Sequence, residues 1–117
     1  MSSEIVNIVR AKIITDDIGM FESHAAKMVQ ASNEESGTLV YDFFINGKTR
    51  QVLIVEKYAD DQAFMEHMKR FIHPEYIPKL LEMQEIVSIE MAGTVTEEMQ
   101  ELFDRGGWSY NGYPVKV

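Results

Sequence analysis

The sequence predicts one α+β domain with the element order strand, helix, strand, strand, helix, strand, and three observations carry that prediction. Four runs are rich in β-branched, aliphatic and aromatic residues and short enough to be strands. Two of them flank Asn46-Gly47, a strong short-range hairpin signal. Between the runs, two stretches repeat their apolar residues at three- and four-residue steps, the period of an amphipathic helix.

The first strand runs from Ile5 to Ile14 and stops at the polar cluster Thr15-Asp16-Asp17. A helix follows from Asp17 to about Ser32, with Met20, Phe21, His24, Ala25, Met28 and Val29 on one face. Asn33 to Gly37 breaks it, and Thr38 to Ile45 forms the second strand. Gln51 to Tyr58 completes the hairpin. Asp60 and Asp61 then offer caps to a second helix carrying Ala63, Phe64, His67, Met68 and Phe71. The segment His73 to Pro78 interrupts that helix, because each proline lacks an N–H and disfavours the helical conformation in its predecessor. A short turn through Leu80-Leu81, a last strand from Gln84 to Ala92, and a terminal helix from Thr96 to Phe103 complete the order. Arg105 to Val117 reads as a glycine-punctuated tail.

Two β-α-β units joined by a hairpin give a ferredoxin-like βαββαβ sheet with both helices on one face. On the second strand, Leu39, Tyr41, Phe43 and Ile45 share one side while Val40 and Phe44 share the other. Both faces are therefore apolar, and one helix layer covers only one. A second copy of the chain is the expected cover, giving a homodimer whose paired sheets form a barrel-like core.

Composition excludes several function classes. The 117 residues contain no linker-like stretch, so one domain is expected. A net charge of −8 repels nucleic acid and anionic membrane. No cysteine is present, which removes disulfides, thiolate nucleophiles and cysteine metal sites and suits a reducing cytoplasm. The N-terminus has neither the basic flank nor the apolar core of a signal peptide, and no apolar run is long enough to cross a membrane. The three histidines lie on separate elements without metal-ligand spacing, so no metal site is expected.

The blocks Ser36-Gly37-Thr38-Leu39-Val40-Tyr41, Glu56-Lys57-Tyr58-Ala59-Asp60, and Ala63-Phe64 with His67 stand in an order and spacing that resembles the antibiotic biosynthesis monooxygenase family, small dimeric α+β barrel proteins. The resemblance covers roughly residues 5 to 93. It implies an ABM-like domain over residues 1–95; residues 96–117 are expected to form a C-terminal helix and extension of the same domain, able to fold over either protomer of a dimer. Ser36 stands where family members often have proline, and the shorter members have no counterpart of the tail bearing Trp108, Tyr110, Tyr113 and Pro114. The activity implied is oxygenation of a small electron-rich aromatic, such as a quinol, without a cofactor. Haem-degrading members pair a first-strand Asn with a Trp and a histidine ligand, but no Trp falls within the resembling region.

His67, on the apolar face of the second helix, is the candidate catalytic base. The alternative is a packed histidine satisfied by a strand carbonyl or by Glu56. His73 lies near where family members often carry a second histidine and is a candidate for the pocket mouth or a solvated loop, whereas His24 is expected to pack. Asn7 interrupts the apolar side of the first strand, either to hold a substrate oxygen or because it meets water at an open strand end. Tyr41, Phe43, Phe64, Phe71 and Tyr76 are candidate walls for a flat aromatic ligand. Two other functions remain open on this basis: an isomerase of small carbonyl compounds using the same histidine, and a non-catalytic dimeric ligand-binding or stress-associated protein.

Overall fold

The computed structural model describes residues 3–117. Strand β1 (Ile5–Ile13) is central: it pairs antiparallel with β3 (Gln51–Tyr58) on one side and β4 (Gln84–Ala92) on the other. β2 (Thr38–Asn46) adds to β3, and β5 (Asn111–Tyr113) adds parallel to β4, for the order β2-β3-β1-β4-β5. The helices are α1 (Ile18–Ser32), α2 (Asp61–Phe71), α3 (Ile77–Leu81) and α4 (Glu97–Gly106). Three helix starts are fixed by side-chain caps, since Asp17, Asp60 and Thr96 accept the N–H of Met20, Ala63 and Met99 at 2.9, 2.8 and 3.2 Å. The ferredoxin-like α+β fold expected from the sequence is the fold observed.

Alternation along the sheet builds one core. Ile5, Val9, Ala11 and Ile13 of β1 face the helices with Val52, Ile54 and Tyr58 of β3, and meet Phe21, Met28, Phe64 and Phe103 from above. Each such aliphatic or aromatic side chain removed from water contributes roughly 1.5–3 kcal/mol. The opposite face has no helix over it. There Val6, Ile8, Val40 and Val55 are half-buried, Leu53 is at the edge of exposure, and Phe44 is 58% exposed.

Three local expectations are corrected. The hairpin does not turn on Asn46-Gly47 alone: Asn46 pairs with Gln51, leaving Gly47 to Arg50 as the loop. The Asn46 carboxamide oxygen accepts the N–H of Lys48 and Thr49 at 3.0 and 3.2 Å, and Arg50 rather than a glycine takes the left-handed conformation at φ 64°. Leu39 does not share the buried side of Tyr41, because the register shifts between Thr38 and Val40 and leaves Leu39 half exposed. The tail is not free of structure. Gly93 donates its N–H to Tyr113 O at 2.9 Å, and β5 covers the edge of β4.

Candidate functional site

A cavity of about 70 Å³ lies between the sheet and the helices. Its polar lining comes from Asn7, Tyr41, Glu56, His67 and Gln84; the remainder is apolar, from Val9, Met28 and Ile54 to Met68, Ile89 and Trp108. Methionine walls adapt readily to a larger guest.

His67 reaches this cavity from α2 and is 1% exposed. Its Nδ1 lies 2.7 Å from Oε1 of Glu35, in the loop between α1 and β2. That loop is brought against α2 by Gly37, where an added Cβ would stand 2.5 Å from the Cβ of Ala63, one turn before His67. Thr38 donates its hydroxyl to the same Glu35 oxygen at 2.7 Å, and Arg70 donates to Oε2 at 3.1 Å. Burial raises the Glu35 carboxyl, but the hydrogen bonds from His67, Thr38 and Arg70, with the charge of His67, outweigh it and hold the group below the ordinary carboxylate range. An ionised Glu35 takes Nδ1–H as donor, which makes Nε2 the acceptor of the neutral ring.

Glu56 lies beside this pair under the opposite influence. Burial pushes its carboxyl above the usual range, opposed by the charge of His67 and by hydrogen bonds from Tyr58 and Asn7. The Tyr58 hydroxyl donates to Glu56 Oε1 at 2.5 Å. Burial and the nearby carboxylates also push the phenols of Tyr41 and Tyr58 up, so both remain O–H donors in neutral solution. The site thus holds two carboxyls driven apart in acidity around one histidine, an arrangement suited to proton transfer.

The structure brings Asn7, Tyr41, Phe64 and His67 together on the cavity wall. Asn7 is 5% exposed and mid-strand between Glu56 and Met91, which overturns the reading that it meets water at a strand end. His67 finds neither a strand carbonyl nor Glu56 as hydrogen-bond partner; Glu35 takes that role. Phe71 stacks on His67 at 4.0 Å between ring centres, Tyr76 stacks on Phe71 at 4.7 Å, and Phe43 packs edge-on against Tyr41, so these three back the wall rather than line it. His73 is exposed beyond the end of α2, its Nδ1 accepting the N–H of Glu75 at 3.2 Å, and it is not part of the cavity. His24 packs as expected, with Nε2 at 3.1 Å from the Tyr76 carbonyl.

Glu35, Gln84 and Trp108 were not foreseen as site residues. Trp108 is set on the cavity by the end of α4, where Gly107 takes the left-handed conformation at φ 71° and Trp108 N–H bonds Phe103 O at 2.9 Å. Glu56 was considered only as a partner for histidine, yet its alternation with Val52, Ile54 and Tyr58 marks a carboxyl on the buried side of a strand. Among the described residues no group of three His, Asp or Glu is placed to hold a metal ion, and no helix is long and apolar enough to cross a membrane.

This fold and cavity define a small α+β domain of the ferredoxin-like class. The antibiotic biosynthesis monooxygenase family model matches residues 5–79, and the chain belongs to that family. No curated protein matches the chain. Among solved structures it is similar to MupZ from Pseudomonas fluorescens, at 20% identity and a TM-score of 0.81, covering 100% of this chain and 88% of that one. It is also similar to SnoaB, a cofactor-independent oxygenase from Streptomyces nogalater, at 15% identity and a TM-score of 0.63, covering 77% and 91%. A third similar structure is Rv0793 from Mycobacterium tuberculosis, at 18% identity and a TM-score of 0.64, covering 81% and 98%. These likenesses support the fold.

Proposed function

We propose that the cavity is the active site of a cofactor-independent monooxygenase acting on a small quinol-like aromatic. The observation that carries this reading is the buried His67, held by an ionised Glu35 and facing an otherwise apolar cavity. His67 Nε2 takes the proton of a phenolic hydroxyl, and the electron-rich phenolate passes one electron to O2. Recombination of the ring radical with superoxide forms a C–O bond and a hydroperoxide. The O–O bond then breaks as the ring C–H proton leaves, so that one oxygen remains as a carbonyl and the other departs as water. A hydroquinone and O2 thereby give a hydroxyquinone and water. Tyr41 steadies the phenolate by donating its O–H, Asn7 holds a second oxygen, and the apolar walls keep bulk water from the intermediates.

Oxygen uptake with a panel of hydroquinones tests the reaction: uptake abolished in His67→Ala supports it, and no uptake with any of them sinks it. The carboxyl of Glu56, driven toward protonation beside a base, also suits isomerisation of a small carbonyl compound. Solvent deuterium entering such a compound without oxygen consumption distinguishes that reaction.

The open sheet face belongs to the same proposal. Phe44, Leu53, Val40 and Val55 form the contact through which a second copy closes a barrel. Size-exclusion chromatography is expected to show a dimer, converted to monomer by Phe44→Asp with Leu53→Asp; a wild-type monomer at micromolar concentration rejects it.

A further inference from the structure

Among the described residues, two buried acceptors in the cavity have no hydrogen-bond partner: Oδ1 of Asn7 and Oε1 of Gln84. Both residues line the same cavity, Asn7 at 5% and Gln84 at 2% exposure. An unpaired buried carbonyl oxygen is costly, and a native protein rarely keeps two in one cavity unless ordered water or a ligand satisfies them. A hydrogen bond from Asn7 to Glu56 leaves Oδ1 as the unpaired atom of the carboxamide.

Their separation is informative. Asn7 sits opposite Met91 in the β1–β4 register, whereas Gln84 sits opposite Ile13, six positions further along β1. At about 3.3 Å per residue the two α-carbons are roughly 20 Å apart. Between them the wall is apolar: Val9, Ile54, Met28, Met68 and Ile89. A cavity of about 70 Å³ between two residues so far apart is narrow, and the flexible side chains of Met28 and Met68 give way to admit a chain more readily than a compact body.

We infer that the cavity takes an elongated ligand: a phenol or enol head at the Asn7 and His67 end, an apolar spacer, and a terminal hydroxyl donated to Gln84 Oε1. The nature of the head rests on the proposed function; the spacer and the terminal hydroxyl rest only on the two unpaired oxygens and the register. Gln84 is then a specificity-determining residue distant from the reacting atoms, reading ligand length and the presence of a donor at the far end.

The chain's one tryptophan, Trp108, lines this cavity and reports occupancy through its fluorescence. Binding of 4-(ω-hydroxyalkyl)phenols, with chains from propyl to decyl, is measured without oxygen against the matching 4-alkylphenols. The terminal hydroxyl is expected to tighten binding at least tenfold at one chain length and little at the others. Gln84→Met abolishes that preference, and its melting temperature does not fall, because the variant removes an unpaired acceptor. Gln84→Asn, which withdraws the oxygen, moves the optimum to a longer chain. Equal affinities for the two series at every length, or an optimum unmoved in Gln84→Asn, overturn the inference. Length-selective binding with no oxygen uptake by any phenol would leave it standing and remove the oxygenase; uptake without length selectivity would do the reverse.

Discussion

The two halves of the fold each bury one histidine on the sheet-facing side of a helix, and the two differ in what holds them. His24 on α1 is 5% exposed and bonds a backbone carbonyl, that of Tyr76, at 3.1 Å. His67 on α2 is 1% exposed and bonds a carboxylate, that of Glu35, at 2.7 Å. Burial lowers the His24 pKa, with Lys79 and Lys27 pushing the same way and the Tyr76 carbonyl opposing, so its neutral form is favoured. The Glu35 carboxylate instead takes Nδ1–H of His67 and leaves Nε2 as the acceptor of that ring. One partner fixes a ring in place; the other equips it for proton transfer. Only His67 opens on the cavity.

The largest expected effect separates the two residues directly. His67→Ala should lower hydroquinone-dependent oxygen uptake by about 10²–10⁴-fold, the usual contribution of a positioned acid or base. His24→Gln, which keeps a donor for Tyr76 O, should leave uptake within about threefold. Comparable losses in both variants, read as kcat in an oxygen electrode, would mean that His67 acts through packing.

A smaller effect falls on the partner. Glu35→Gln keeps the shape but removes the charged acceptor of His67 Nδ1–H, and should lower kcat about tenfold with little change in KM. It should also destabilise the fold by about 1–3 kcal/mol, because Thr38 and Arg70 lose a charged acceptor. The pH profile carries the distinctive signature. The wild-type Glu35 carboxyl titrates below the ordinary range, so its contribution to stability is present above the unfolded carboxylate pKa and is lost as pH falls through the lower folded one. Urea melts of Glu35→Gln should lack that acid limb. Gly37→Ala should disturb the same contact by displacing the loop from Ala63, at a cost of about 1–3 kcal/mol.

The contrast between the histidines also shows what was legible in the sequence. Helical spacing put both on buried faces, and the strands were recoverable because alternation and turn chemistry are local. Gln84 to Ala92 was placed residue for residue. Partners were not recoverable, since Glu35 is one of two adjacent glutamates in a polar loop and meets His67 across 32 residues of chain. Gln84 was hidden by the β4 bulge, where the register shift between Arg10 and Ala11 breaks simple alternation from Ile89 back to the start of the strand. The β5 pairing depends on where α4 delivers the tail. His73 shows the reverse error: nearness to a histidine position of the resembling family suggests the pocket mouth, but the side chain is exposed beyond the end of α2.

The smallest expected effect belongs to His24 and concerns stability alone. Because its folded pKa lies below the unfolded value of 6.5, the unfolded chain binds more protons there between the two values. The stability it supports is therefore present above 6.5 and is lost as pH falls through the folded pKa. Glu56 contributes with the opposite sign: its raised carboxyl makes the folded state the better proton binder, so its ionisation removes stability as pH rises from the ordinary carboxylate value through the folded one. His24→Gln removes the first contribution and leaves the second, so the melting temperature of the variant, measured from pH 7 down to pH 5, should decline less steeply than that of the wild type. A parallel pair of curves would show that His24 is no more buried from protons in the folded chain than in the unfolded one.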